Sequence, residues 1–181
     1  MTRTEALEIV RSRVKNDRLV KHMLAAEAVM SVLAARLGED REMWGLAGLL
    51  HDVDYDETAA DPERHGIVGA ALLKELGVAD PILHAVESHA GHRNRATAMD
   101  RALYATDPLT GLVVAAALMH PSKKVGAINP EFVLKRFKEK RFAAGANREQ
   151  IKTCEELGLP LEEFISIALA AMQGIAGDLG L

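Results

Sequence analysis

The sequence predicts an all-α fold. Alanine is abundant while Val/Ile/Thr alternation is nearly absent, cap residues recur at helix-length intervals, and apolar positions repeat three and four apart. Thr2 and Glu5 have capping-box spacing and open a helix near 3–15. The next pattern runs near 17–37 and stops at Gly38, and a third covers 41–53. Asp61-Pro62 and Asp80-Pro81 each set a cap residue before a proline suited to a first turn. They give helices near 62–76 and 81–90, ending at Gly77 and Gly91. A long element near 97–119 contains Pro108, which should strain it. Asn129-Pro130 opens 130–140, Asn147 with Gln150 repeats the capping-box spacing over 147–157, and a last helix spans 161–176.

Composition narrows the function. The 181 residues contain 22 Lys+Arg and 26 Asp+Glu, a formal charge of −4, which argues against a general nucleic-acid coat or a polybasic membrane anchor. Aromatics at 4% leave few stacking platforms, so no stable nucleic-acid partner is expected. A hydrophobic share of 49% against 27% charged is that of a globular chain. No low-complexity linker or repeat divides it, so a single domain over 1–181 is expected. Cys154 has no disulfide partner, the first residues turn amphipathic at once, and the longest apolar runs, around 112–119 and 165–172, fall short of a bilayer. The expected setting is the cytoplasm, with no membrane partner.

Ionisable residues on apolar stripes carry the chemical signal. His22 shares a face with Ala26, Val29 and Leu33; His51 lies over Ala47 and Trp44. Asp52 lies over Gly48 and Gly45, where missing side chains let another helix or an ion approach. His65 heads the stripe Val68, Gly69, Leu72, Leu76, and His89 closes Ile82, Ala85, Val86. Asp107 sits with Leu103, Tyr104, Gly111 and Val114. A lone inward histidine is ordinarily a core residue satisfied by one hydrogen bond. Two inward aspartates need more, because burying an unpaired carboxylate is costly, and no Lys or Arg shares these stripes. Divalent metal ions account most economically for imidazoles and carboxylates turned inward from different helices. The mixed donors suit Mn, Fe, Co, Ni or Zn better than Ca, as one or two ions. His84 faces a wet side with Asp80, Glu87 and Ser88, while His120 at a helix end and Cys154 on a late helix have structural readings. The acidic stretch from Asp52 to Glu63 and the basic one from Lys123 to Arg141 read, taken alone, as solvated faces or loops.

The order His22, His51-Asp52, His65, His89, Asp107 resembles that of the HD superfamily of metal-dependent phosphohydrolases. The phrases Gly48-Leu49-Leu50-His51-Asp52-Val53-Asp54, His65-Gly66-Ile67-Val68-Gly69-Ala70 and Ala85-Val86-Glu87-Ser88-His89 carry the likeness, from His22 to Met119. Within the superfamily the chain is most similar to small stand-alone HDIG-related hydrolases, where Thr106 to Leu112 and Phe142-Ala143-Ala144-Gly145 have counterparts. The resemblance implies an HD-type helical bundle with its core near 17–120 and a helical extension near 121–181. It implies one metal held by His22, His51, Asp52 and Asp107, and a second completed by His65 and His89 with Asp52 bridging. It further implies hydrolysis of a phosphate ester or anhydride, on a nucleotide, by a metal-activated water. Two departures withhold the substrate. Leu109-Thr110-Gly111 follows the last aspartate where dinucleoside-polyphosphate hydrolases carry a Glu/Arg-containing segment, and the Gly-Tyr-Pro of cyclic-di-GMP phosphodiesterases is missing.

For that chemistry Asp54, beside Asp52, is the nearest spare carboxylate and a candidate to orient water or shuttle a proton; a solvated acid at a helix end is an equal reading. His92, Arg93, Arg95, Lys123 and Lys124 are candidates for phosphate contact, set against ordinary surface roles. Two rivals use the same features: a di-iron oxygenase of the HD type and a non-catalytic nucleotide sensor. The oligomeric state is open.

Overall fold

Thr2 and Glu5 cap one another's backbone groups and open α1 (Arg3–Arg13), the first of eleven α-helices in a computed structural model that describes residues 1–181. There is no strand. The bundle is built from α2 (Asp17–Leu37), α3 (Arg41–Leu50), α4 (Tyr55–Thr58), α5 (Ile67–Glu75), α6 (Asp80–His89) and α7 (Ala98–Met119). After it come α8 (Pro130–Lys138), α9 (Arg148–Lys152), α10 (Leu161–Gly174) and α11 (Ala176–Leu179), with 3-10 turns at Val125–Ala127 and Thr153–Leu157. The all-α expectation holds, and buried apolar side chains from Ala6 to Leu179 form one continuous core.

Two packing features position the later site. The first is the α2–α3 crossing, where Gly48 admits the neighbouring backbone: a Cβ there would stand 2.6 Å from the carbonyl oxygen of Ala26. The close approach expected over Asp52's face therefore comes from a helix. The second is α7, which packs against α2, α6, α8, α9 and α10. By length and composition alone α7 would suffice to cross a membrane, more than the uninterrupted apolar runs suggest. About half of its apolar window is buried inside the bundle, however, and Asp107 stands midway along it.

Several boundaries differ from the sequence expectation, and each has a local cause. The helix expected over 41–53 stops at Leu50, and residues 51–54 turn. The helix expected from Pro62 begins at Ile67, because its opening N–H groups are capped by the distant Asp54 carboxylate rather than by Asp61. Gly66 enters with φ +78°, and a Cβ there would meet the Val86 carbonyl oxygen at 2.9 Å. The buried face of α5 is consequently Gly69, Ala70 and Leu73; Val68 and Leu72 are half-buried and Leu76 is exposed, so the predicted stripe is one residue out of phase. Asn147 caps α9 through the N–H groups of Glu149 and Gln150, but the Gln150 side chain does not return the bond. α7 continues unbroken through Pro108.

Candidate metal centre

His51 and His89 are placed by the same device. Each stands at the C-terminal end of its helix and donates Nδ1–H to the carbonyl three residues back, Gly48 at 2.8 Å and Val86 at 2.5 Å. These helix-end carbonyls lack later N–H partners, so a side-chain donor satisfies them and fixes the ring. His22, on α2, donates Nδ1–H to the hydroxyl of Thr110 on α7 (2.9 Å), which itself donates to the Asp107 carbonyl (2.9 Å). His65 stands in the turn before α5 and donates Nδ1–H to Asp54 Oδ1 at 2.9 Å. All four imidazoles thus spend their Nδ1 protons on protein acceptors, and the second shell of a metal-ligating histidine is built the same way.

Their Nε2 atoms converge. His22 and His51 bring theirs to 3.1 Å, and His65 and His89 to 3.2 Å. Asp52 lies between the two pairs. Its Oδ2 is 3.5 Å from His22 Nε2 and 3.4 Å from His51 Nε2, while its Oδ1 is 3.3 Å from His65 Nε2 and 3.4 Å from His89 Nε2. Asp107 Oδ1 adds a donor 3.2 Å from His22 Nε2. Ligands bonded to one ion at about 2.0–2.2 Å stand about 3.0–3.5 Å apart, so these spacings match. His22, His51 and Asp107 offer donors close enough to share an ion, as do His51, Asp52 and His89. Neither Asp52 nor Asp107 pairs with a lysine or arginine.

Electrostatics tells the same story for the polypeptide by itself. Complete burial pushes the His51 imidazolium down to about 4, so that ring is neutral near pH 7. Burial also works against a charged His65, but hydrogen bonds to Asp52 and Asp54 outweigh it and lift His65 to about 10. Burial opposes the charged forms of Asp52 and Asp107 too; the surrounding imidazoles hold both carboxyls below the usual range. Without a cation the cluster binds a proton in its place.

Asp54 is placed unlike a water-orienting base. It is 3% exposed, and its Oδ2 accepts from the N–H groups of Gly66 (2.8 Å) and Gly69 (2.7 Å) while Oδ1 accepts from His65 Nδ1–H. Every lone-pair direction that counts is committed to holding the His65 turn, so Asp54 is a positioning group. The open face of the cluster is a cavity of about 450 Å³ lined by His22, Asp52, His65, His89 and Asp107 together with Leu19, Tyr55, Ala90 and Gln150. Tyr55, 43% exposed, stands edge-on to His65 at 5.3 Å between ring centres.

The expected phosphate contacts fall elsewhere. His92 and Arg93 line a separate groove with His84, and Arg93 is paired with Glu87. Arg95 lies over the Tyr104 ring at 4.1 Å. Lys123 and Lys124 follow the end of α7, whose last residue is twelve beyond Asp107, about 18 Å along the axis. His84, expected on a wet face, is part-buried, with Nδ1 3.3 Å from the Ser88 hydroxyl and 3.0 Å from a carboxylate oxygen of the buried Asp100. Sequence reasoning missed Thr110, Tyr55 and Gln150. Thr110 had a usable signal, one turn after Asp107 on an inward face; Gln150 had none, because its place depends on a tertiary contact.

A family model described as HD domain matches residues 19–118, more than half of the chain. The chain is also 31% identical over 98 residues to ribonuclease Y of Nitratidesulfovibrio vulgaris and 33% identical over 94 residues to that of Lawsonia intracellularis. These matches cover 53% and 51% of the chain and 18% of each relative. A third, ribonuclease Y of Nitratiruptor, is 30% identical over 131 residues, 71% of the chain and 25% of the relative. The chain therefore spans a quarter or less of these relatives' length. HD domains bind divalent metals and usually serve as metal-dependent phosphohydrolases, and the histidines and aspartates gathered here could hold such an ion. With the ordered His/Asp set inside the matched segment and converging in space, the chain belongs to the HD-domain family.

Proposed function

We propose that the protein is a metal-dependent phosphohydrolase acting on a nucleotide or another compact phosphate ester or anhydride. One observation carries the reading. Four Nε2 atoms, with every Nδ1 proton already donated elsewhere, face one another across Asp52 with no lysine or arginine beside it, an arrangement that a metal ion would stabilise. The donor set fits Mn, Fe, Co, Ni or Zn better than Ca. In this reading His22, His51 and Asp107 would hold one ion and His65 and His89 a second, with Asp52 between them available to both. Such ions supply a Lewis acid for phosphoryl oxygens and lower the pKa of water to about 7.

The chain's own residues supply the rest. Asp54 fixes the His65 ring, Thr110 fixes His22, and the two helix-end carbonyls fix His51 and His89. Leu19 and Ala90 give the cavity an apolar edge beside the ligand set. The likeness to ribonuclease Y supports phosphodiesters of RNA as one further member of the substrate class.

A phosphate-release screen over nucleotides, dinucleotides, phosphomonoesters and short RNA, with Mn, Co, Fe, Ni and Mg, tests the proposal. Release with at least one transition metal, abolished by a chelator, is expected. No release under any metal, with oxygen consumed by the iron-loaded protein, would overturn it in favour of the oxygenase reading.

A further inference from the structure

Pro108 follows Asp107 inside α7 and cannot donate to the carbonyl four residues back, that of Tyr104. The missing donor comes from outside the matched segment. Gln150, on α9, gives its Nε2–H to Tyr104 O at 2.8 Å. A carbonyl accepts and never donates, so this bond decides which way the amide faces. Nε2 is held by α7, and Oε1, which no protein donor reaches, belongs to the side chain that lines the cavity over Asp52 and Asp107.

The segment around Gln150 is tied down at several points. Asn147 Oδ1 accepts from the Gln150 N–H at 3.1 Å. The Arg148 guanidinium donates to the carbonyls of Phe137 (3.2 Å), Ala143 (2.7 Å) and Ala146 (2.6 Å), and to that of Phe142, closing the loop that leads into α9. A loop built this firmly delivers a fixed acceptor to the rim of a site otherwise made of metal-seeking donors. Preorganised acceptors of this kind select ligands that carry a donor at the matching place.

We infer that Gln150 is a substrate-recognising residue whose Oε1 accepts a hydrogen bond from a sugar hydroxyl of a ribonucleotide, while the phosphate lies over the His/Asp cluster. The inference rests on the phosphohydrolase reading for where the phosphate lies, and on the Tyr104 bond for the acceptor. Cavity dimensions agree: about 450 Å³ falls within the range of small-ligand pockets.

The test is calorimetric binding to the full chain loaded with Mn, using AMP, 2′,3′-dideoxy-AMP and inorganic phosphate as probes, on the native protein and on Gln150→Met, which keeps the side chain's length. AMP is expected to bind the native protein roughly threefold to tenfold more tightly than its dideoxy analogue. Gln150→Met should erase that preference and leave inorganic phosphate binding unchanged, a split that a merely structural role would not give. Equal binding of AMP and its analogue by the native protein, a preference that survives in Gln150→Met, or no AMP binding at all overturns the inference. A Gln150-dependent preference in a protein that releases no phosphate from any substrate sinks the phosphohydrolase reading alone.

Discussion

His22, His51 and Asp107 stand on α2, at the end of α3 and in the middle of α7, whereas His65 stands in a turn and His89 at the end of α6. On the first side of Asp52 the donors are spaced by core packing, chiefly the α2–α3 approach that Gly48 permits and the α7 helix that Thr110 ties to His22. On the second side the spacing depends on hydrogen bonds, with Asp54 holding the His65 turn from eleven residues upstream. Packing is collective and resists single changes outside the contact itself; a pinned turn is released by one substitution. The two sides are therefore expected to fail separately.

Asp52→Ala removes the group both sides share and has the largest expected effect. Elemental analysis should find metal at background on both sides and phosphate release abolished, with circular dichroism unchanged; retention of bound metal would show that the sides do not meet at Asp52. Gly48→Ala strikes the first side through the fold. Its Cβ meets backbone at 2.6 Å, and the shift should cost about 1–3 kcal/mol in denaturant unfolding. Asp54→Asn strikes the second side alone. An amide cannot accept from His65, Gly66 and Gly69 together, so titration should show one class of site weakened about 10–100-fold and the other unchanged.

A pH series sharpens the contrast by exposing the proton that a cation replaces. His65 titrates at about 10 in the folded chain by itself against 6.5 ordinarily, so its stabilisation is complete below about 6.5 and lost as pH rises towards 10. Melting curves of chelator-treated protein should fall over that window, and Mn-loaded protein should fall less; parallel curves would remove His65 from the centre. The smallest effect is expected for Lys123→Ala with Lys124→Ala, which follow the end of α7 and do not line the cavity: kcat/KM should stay within about twofold.

Much of this arrangement was legible in the sequence, and the boundary of legibility is physical. Capping at Thr2, Asn129 and Asn147 is a local matter and reads directly from residue type and spacing. The inward faces of His22, His89 and Asp107 follow from helical phase, whereas His51 caps the end of α3 and Asp52 stands in the turn beyond it, where the expected helix had already stopped. His65 was found for a reason that does not hold: the stripe assigned to it belongs to a helix that starts at Ile67, and the ring is aimed by Asp54 instead. Asp54 looked spare because its three partners are N–H groups and a ring that only the tertiary fold brings to it. Gln150 was invisible for the same reason, since its partner is a carbonyl that Pro108 leaves open 46 residues away.

The central claim is that a cation on each side of Asp52 organises these side chains, and a crystal grown with Mn and read by anomalous scattering addresses it most directly. Two peaks about 3.5–4 Å apart are predicted, one among His22, His51 and Asp107 and one beside His65 and His89, with an Asp52 oxygen on each. An anomalous map with no peak at the cluster in a fully Mn-equilibrated crystal, with the Nε2 atoms bridged by water or by protons, would contradict the account.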